Sequence, residues 1–180
     1  MRFCAILTLG LLSISAAIGQ TSVAEGLLSN PYESVCGKPL ADGKVYDFRE
    51  GKVTKLAPGN RLVFEQVSLN GDDRKANYLI QLAGINTKEN EAALAKLLAK
   101  SVVGKDVIAA GNLKEPSDTS LYASIWLSGL GDLNQHLLKN GIAKFAEPEY
   151  KSVSAYTLCV SRQTAEEAKS KRVGVWADQK

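Results

Sequence analysis

Three cysteines occur in this chain of 180 residues, and the pairing open to them constrains the fold more than any other feature. Cys4 lies in a leader-like segment. There Arg2 precedes an apolar stretch, Phe3 to Leu12, that is too short to span a bilayer, so an N-terminal membrane anchor is the poorer reading. The small residues Ser15-Ala16-Ala17-Ile18-Gly19 follow, and Ala17 with Gly19 has the small-x-small form that suits cleavage before Gln20. Removing residues 1–19 as a signal peptide leaves Cys36 and Cys159, which allow one intramolecular bridge. Such a bridge would close a loop of more than a hundred residues, contributing up to about 4–5 kcal/mol in the chain-entropy model. Two separately buried thiols are the alternative.

The roughly 160 residues that remain suit one domain with a hydrophobic core rather than two. Without Arg2 the chain carries 21 basic residues against 19 acidic ones, a net charge of +2. Dedicated nucleic-acid binders concentrate far more positive charge, so composition permits a polyanionic partner without pointing to one. No second long apolar run offers a membrane span, no Asn-x-Ser/Thr site is present, and the closing Ala177-Asp178-Gln179-Lys180 is not a retrieval signal. Secretion to the cell exterior is the expected fate, as a monomer.

Residues 20–51 are punctuated by Gly, Ser and Pro without a sustained period, with a turn at Cys36-Gly37-Lys38-Pro39, and read as an N-terminal extension. Residues 61–69 and 76–85 are strand-like and flank the turn signal Asn70-Gly71-Asp72-Asp73, as in a hairpin. Leu94, Leu97, Leu98 and Val102 recur at helical spacing over residues 91–101, with Gly104 placed to stop the helix. Residues 107–110 and 121–127 are strand-like on either side of a loop around Pro116. Asp132 with Gln135 has the form of a capping box before Leu133, Leu137 and Leu138, and Asn140-Gly141 ends that short helix. Tyr156, Cys159, Val160, Thr164 and Ala168 share one face of a last helix, with Lys169, Lys171 and Arg172 in its final turn. Hairpins followed by helices predict an α+β fold built on an antiparallel barrel.

Three strings in this order resemble the staphylococcal nuclease-like (thermonuclease) family over residues 52–176. Leu82-Ala83-Gly84-Ile85-Asn86-Thr87-Lys88-Glu89 is similar to the family's RLxGIDxPE, and Asp132-Leu133-Asn134 through Asn140-Gly141-Ile142-Ala143-Lys144 is similar to VNxxLVxxGLAxV. Ala165-Glu166-Glu167-Ala168-Lys169 with Gly174-Val175-Trp176 is similar to AExxAKxxxxGIW. The resemblance implies a five-stranded OB-type β-barrel with three α-helices, here over residues 52–180. It also implies metal-assisted phosphodiester hydrolysis, with carboxylates holding calcium, a glutamate activating water and two arginines facing the phosphorane.

Carried over by position, those roles fall on Asn60 and Asn86 for the metal carboxylates and on Gln81 and Ser120 for the arginines. Only Glu89 keeps a matching residue, as a vestigial candidate base. Base-stacking tyrosines of the family fall near Glu147 and Glu149, with Tyr150 one residue beyond. Loss of one phosphate-facing donor costs about two to three orders of magnitude in rate, so the resemblance implies a degenerate site. The expectation is a pseudoenzyme without metal or cofactor that binds an extracellular protein or single-stranded nucleic acid. The alternative is a weak calcium-dependent nuclease.

Other conspicuous residues read more plainly. Glu89 suits N-terminal helix electrostatics, and Asp72 and Asp73 suit turn chemistry rather than a metal. His136, the only histidine, has no obvious companion ligand. Trp126 and Trp176 are expected to pack in the barrel and beneath the last helix. Lys96, Lys100 and Lys105 with Lys169, Lys171 and Arg172 would form a polyanion-tracking surface if their elements converge.

Overall fold

The computed structural model describes residues 31–38, 47–66, 76–88, 90–111, 121–147 and 153–178. In chain order it contains α1 (Glu33–Cys36), β1 (Asp47–Ala57), β2 (Arg61–Gln66), β3 (Ala76–Leu82), β4 (Ile85–Asn86) and α2 (Glu91–Ser101). Then follow β5 (Asp106–Gly111), β6 (Leu121–Leu127), β7 (Gly131–Asp132), α3 (Leu133–Lys139), β8 (Lys144–Phe145), α4 (Ala155–Ser170) and a 3-10 turn, Gly174–Trp176. The leader, the Asn70-Gly71-Asp72-Asp73 turn and the loop around Pro116 lie outside the described residues.

Strands β3, β2, β1, β5 and β6 are hydrogen-bonded in that order, and β3 returns to β6 to close a five-stranded barrel. Every barrel pairing is antiparallel except this closing one, which is parallel over Ile80–Leu82 and Leu121–Ala123. The α+β barrel with helices is therefore the architecture expected from the sequence, and β1 starts at Asp47, inside the stretch read there as extension.

Alternation drives the packing. Leu62 and Phe64 of β2, Ile80 and Leu82 of β3, and Ala123, Ile125 and Leu127 of β6 point into one core. Leu94 and Leu98 of α2 and Leu133, Leu137 and Leu138 of α3 close its ends, each buried side chain contributing roughly 1.5–3 kcal/mol. Gly51 makes room for this: a Cβ there would lie 2.5 Å from the Phe64 ring and 2.3 Å from the Glu65 carbonyl oxygen. Trp126 falls between two inward residues and outside the core cluster, opposite Ile108 and Asp132. This corrects its expected place inside the barrel, because strand alternation outweighs its apolar character.

The closing seam has few ladder bonds of its own. Beyond the three paired residues, Ala83 N–H donates to the Ala123 carbonyl at 3.0 Å, and the buried amide of Asn134 adds further bonds. Its Nδ2 donates to the carbonyls of Ala83 at 2.7 Å and Ala123 at 3.3 Å, while its Oδ1 accepts from the Ile125 N–H at 3.4 Å. Asp132 caps α3, accepting from the N–H groups of Asn134 and Gln135 at 2.8 and 3.2 Å. The reciprocal half of the expected capping box is not made. Gln135 instead donates to Ser161 Oγ at 2.8 Å and accepts from Thr164 Oγ1 at 2.7 Å, which ties α3 to α4.

Helix α4 ends at Ser170, so Lys171 is its C-cap and Arg172 lies beyond it at φ 53°. Cys36 and Cys159 are bridged, with Cα atoms 5.6 Å apart, so α1 is tied to α4. The Tyr32 hydroxyl adds hydrogen bonds to Glu167 and Thr164; burial and the Glu167 carboxylate hold that phenol above its usual range. No residue of α1 is buried, so these links rather than apolar packing hold it. Among the described residues no helix is long and apolar enough to cross a membrane.

Two outcomes are expected. Asn134→Leu strands the Ala83 and Ala123 carbonyls and should cost about 2–4 kcal/mol of unfolding free energy in a denaturant titration. Burial pushes the Asp132 carboxyl up to about 6 against the pull of its two N–H donors. Its native value lies above the unfolded one, so this group favours the folded state most below pH ~4 and progressively less as pH rises through about 6. Asp132→Asn keeps a capping acceptor and should remove that component from the pH profile of thermal stability.

Candidate functional site

The turn from β1 to β2 is Pro58-Gly59-Asn60, and two consecutive residues in it are left-handed, Gly59 at φ 75° and Asn60 at φ 57°. Asparagine tolerates that region better than most residues. Its side chain is then swung inward, only 4% of the residue being exposed, and Nδ2 donates to the carbonyls of Glu91 at 3.1 Å and Thr87 at 3.5 Å. One amide thus joins three pieces of chain: the β1–β2 turn, the segment after β4 and the first turn of α2. Asn86 ends β4 opposite Lys144, and its Oδ1 accepts the Lys88 N–H at 3.0 Å, closing an Asx turn.

Two of the positions expected to hold metal therefore come together, through Asn60 and the residue that follows Asn86. Gln81 lies on β3 between the inward Ile80 and Leu82, so its side chain points away from the core, in register with Tyr122. Glu89, Ser120, Glu149 and Tyr150 lie outside the described residues. Beside Asn60 a depression of about 390 Å³ separates the β1–β2 turn from α2, lined mostly by apolar atoms of Leu56, Pro58, Ala92 and Ala95 with Glu91 at one side.

A calcium ion requires several hard oxygen donors converging on one point. At Asn60 the group facing the site is a nitrogen donor already aimed at two carbonyl oxygens, and the Asn86 oxygen is turned back on its own loop. Among the described residues no three His, Cys, Asp or Glu side chains converge. Among the described residues, which do not include Glu89, this donor set does not fit calcium.

The remaining expected residues sit elsewhere. Lys96 and Lys100 ride on α2, which packs on β1, whereas Lys169 ends α4, which packs on α3, α1 and β8. Lys105 directly precedes β5. Lys169 lies over the ring of Trp176, 5.6 Å from its centroid, and Lys144 over the same ring at 4.8 Å. Lys171 pairs with Glu167 at 3.3 Å, and the Tyr32 hydroxyl, with Lys171 second, holds the Glu167 carboxyl below its usual value. Glu147 is gripped by both oxygens, at 2.8 and 3.0 Å, by Arg162 of α4, whose guanidinium also lies 5.6 Å from the Phe145 ring. Neither the Lys144–Trp176–Lys169 stack nor the Arg162 clamp was found in the sequence, because each joins elements far apart in the chain.

Substituting Asn60→Asp should destabilise the fold by about 1–3 kcal/mol in a denaturant titration, since a carboxylate would face two carbonyl oxygens in place of a donor. Millimolar calcium should not recover the loss; full recovery would mean that the turn still forms a cation site.

A family model described as staphylococcal nuclease homologue matches residues 79–178. No curated protein gives a match. The match covers more than half of the chain, from the middle of β3 through the 3-10 turn that ends in Trp176, and includes the strand pair at the barrel seam, the Asn134 amide and α4. The chain belongs to the staphylococcal nuclease homologue family.

Proposed function

We propose that this chain is a secreted domain of nuclease fold that no longer hydrolyses phosphodiesters and acts by binding, with an extracellular protein favoured over single-stranded nucleic acid as its partner. The observation that carries this reading is the side chain of Asn60. Where the family resemblance puts a metal carboxylate, an amide serves as a cross-link between the β1–β2 turn and α2. Asn86 and Gln81 remove a second carboxylate and an arginine from the same scheme. Each such loss costs about two to three orders of magnitude in comparable sites, and although the effects do not simply add, Glu89 alone cannot bind a metal, orient a phosphate and activate water. The domain therefore needs no cofactor. The Cys36–Cys159 bridge supports export, since such bridges persist in oxidising compartments.

Mature protein incubated with fluorescent single-stranded DNA should give no cleavage that depends on calcium. A calcium-dependent rate that disappears in Glu89→Ala would overturn the proposal. Binding measured against salt separates the partners: a phosphate-driven complex weakens steeply as salt rises, and a protein complex held by apolar contacts does not.

A further inference from the structure

Five exposed lysines come from β1, α2 and the residue just before β5. The register of β1 slips between Val53 and Lys55, and this irregularity leaves Thr54 and Lys55 exposed in succession. At the same point Val53 N–H donates to the Lys105 carbonyl at 3.1 Å and Gly104 N–H to the Val53 carbonyl at 2.7 Å. Those two bonds hold Lys105 beside the bulge. Lys52 lies just ahead of it on β1, and Lys96 and Lys100 stand one turn apart on the exposed side of α2, away from Leu94 and Leu98.

All five lysines are exposed, and the side chain of none of them makes an ion pair or hydrogen bond. Three acids are interspersed: Glu65 and Asp106 are the register partners of Lys52, Asp106 also directly follows Lys105, and Glu50 stands two residues before Lys52 on β1. The apolar depression beside Asn60 lies between the end of β1 and α2, the two elements that also carry Lys55 and Lys96. Glu91, at the start of α2, also lines it.

We propose that Lys52, Lys55, Lys96, Lys100 and Lys105 form a docking surface for a sulfated polysaccharide. Ammonium groups on flexible stems match sulfates spaced along such a chain, each acting as a point charge rather than as a planar fork. The adjoining Leu56, Pro58, Ala92 and Ala95 offer an apolar floor for the C–H face of a sugar ring. Nucleic acid is the poorer fit: residues 52–60 and 91–106 contain no aromatic side chain, so bases would have nothing to stack on. The surface goes beyond the protein-binding reading above and rests on it only for secretion.

The test uses the mature chain, secreted from the full-length precursor, titrated calorimetrically with a size-defined heparin octasaccharide, its fully desulfated counterpart and single-stranded DNA of matched charge. Binding of the sulfated oligosaccharide alone is expected, weakening at least about tenfold between about 50 and about 300 mM NaCl. The triple variant Lys55→Gln, Lys100→Gln, Lys105→Gln should lose at least about tenfold in affinity. The double variant Lys169→Gln, Lys171→Gln, altered where the lysines already engage Trp176 and Glu167, should bind as the parent does. Absence of binding, an equal loss in the two variants, or DNA bound as tightly through the same three lysines would each overturn the proposal. Nuclease activity is read out separately, so calcium-dependent cleavage would sink the inactive-enzyme reading while leaving this result standing.

Discussion

The barrel closes across three residue pairs of parallel strand, and parallel pairing so short offers little hold by itself. The amide of Asn134 compensates by bonding both strands at once, to Ala83 on one side and to Ala123 and Ile125 on the other. Because Asn134 sits in the first turn of α3, the seam and the helix hold each other in place, and the cap at Asp132 fixes the angle at which that helix leaves β7. From α3 the Gln135 side chain passes the arrangement on to α4, and α4 carries the bridge to α1. Two adjacent polar side chains, Asn134 and Gln135, thus link the barrel through α3 to α4.

The parts of the fold that could be read from the sequence are those where local pattern and tertiary environment agree. Leu94, Leu97, Leu98 and Val102 describe α2 to its last residue, and β6 shows itself through a run of apolar and aromatic residues bounded by loop chemistry. Strand β1 gives no such signal. Its buried positions are Gly51 and Val53, one chosen for having no side chain, and charged residues occupy most of the others. What makes it a strand is the demand of β2 and β5 for a partner between them, which is a property of the whole barrel. Gln135 shows the same limit, since its spacing suits a capping box but Ser161 and Thr164 offer it better-placed partners.

For the candidate site, position along the chain pointed to Asn60 and Asn86, and the turn holding Asn60 meets the segment after β4 at Thr87. What position could not supply is the direction of the side-chain atoms. Asn60 turns its nitrogen inward, and only the left-handed backbone at that residue, set by the Gly59-Asn60 pair, makes this possible. At Asn60 the side chain serves the structure, holding the turn to α2.

At the other end of the domain, Gly141 and Gly174 cross so closely that a Cβ on either would meet the other segment's backbone at 2.1 or 2.2 Å, and Val175 N–H donates to the Gly141 carbonyl at 2.8 Å. The residues just after α3 are therefore clasped by almost the last described stretch of the chain, while Cys36 near its beginning waits for Cys159. During synthesis neither contact can form until these late residues have left the ribosome. Both fastenings of the helical end therefore wait until almost the whole of the described chain has been made.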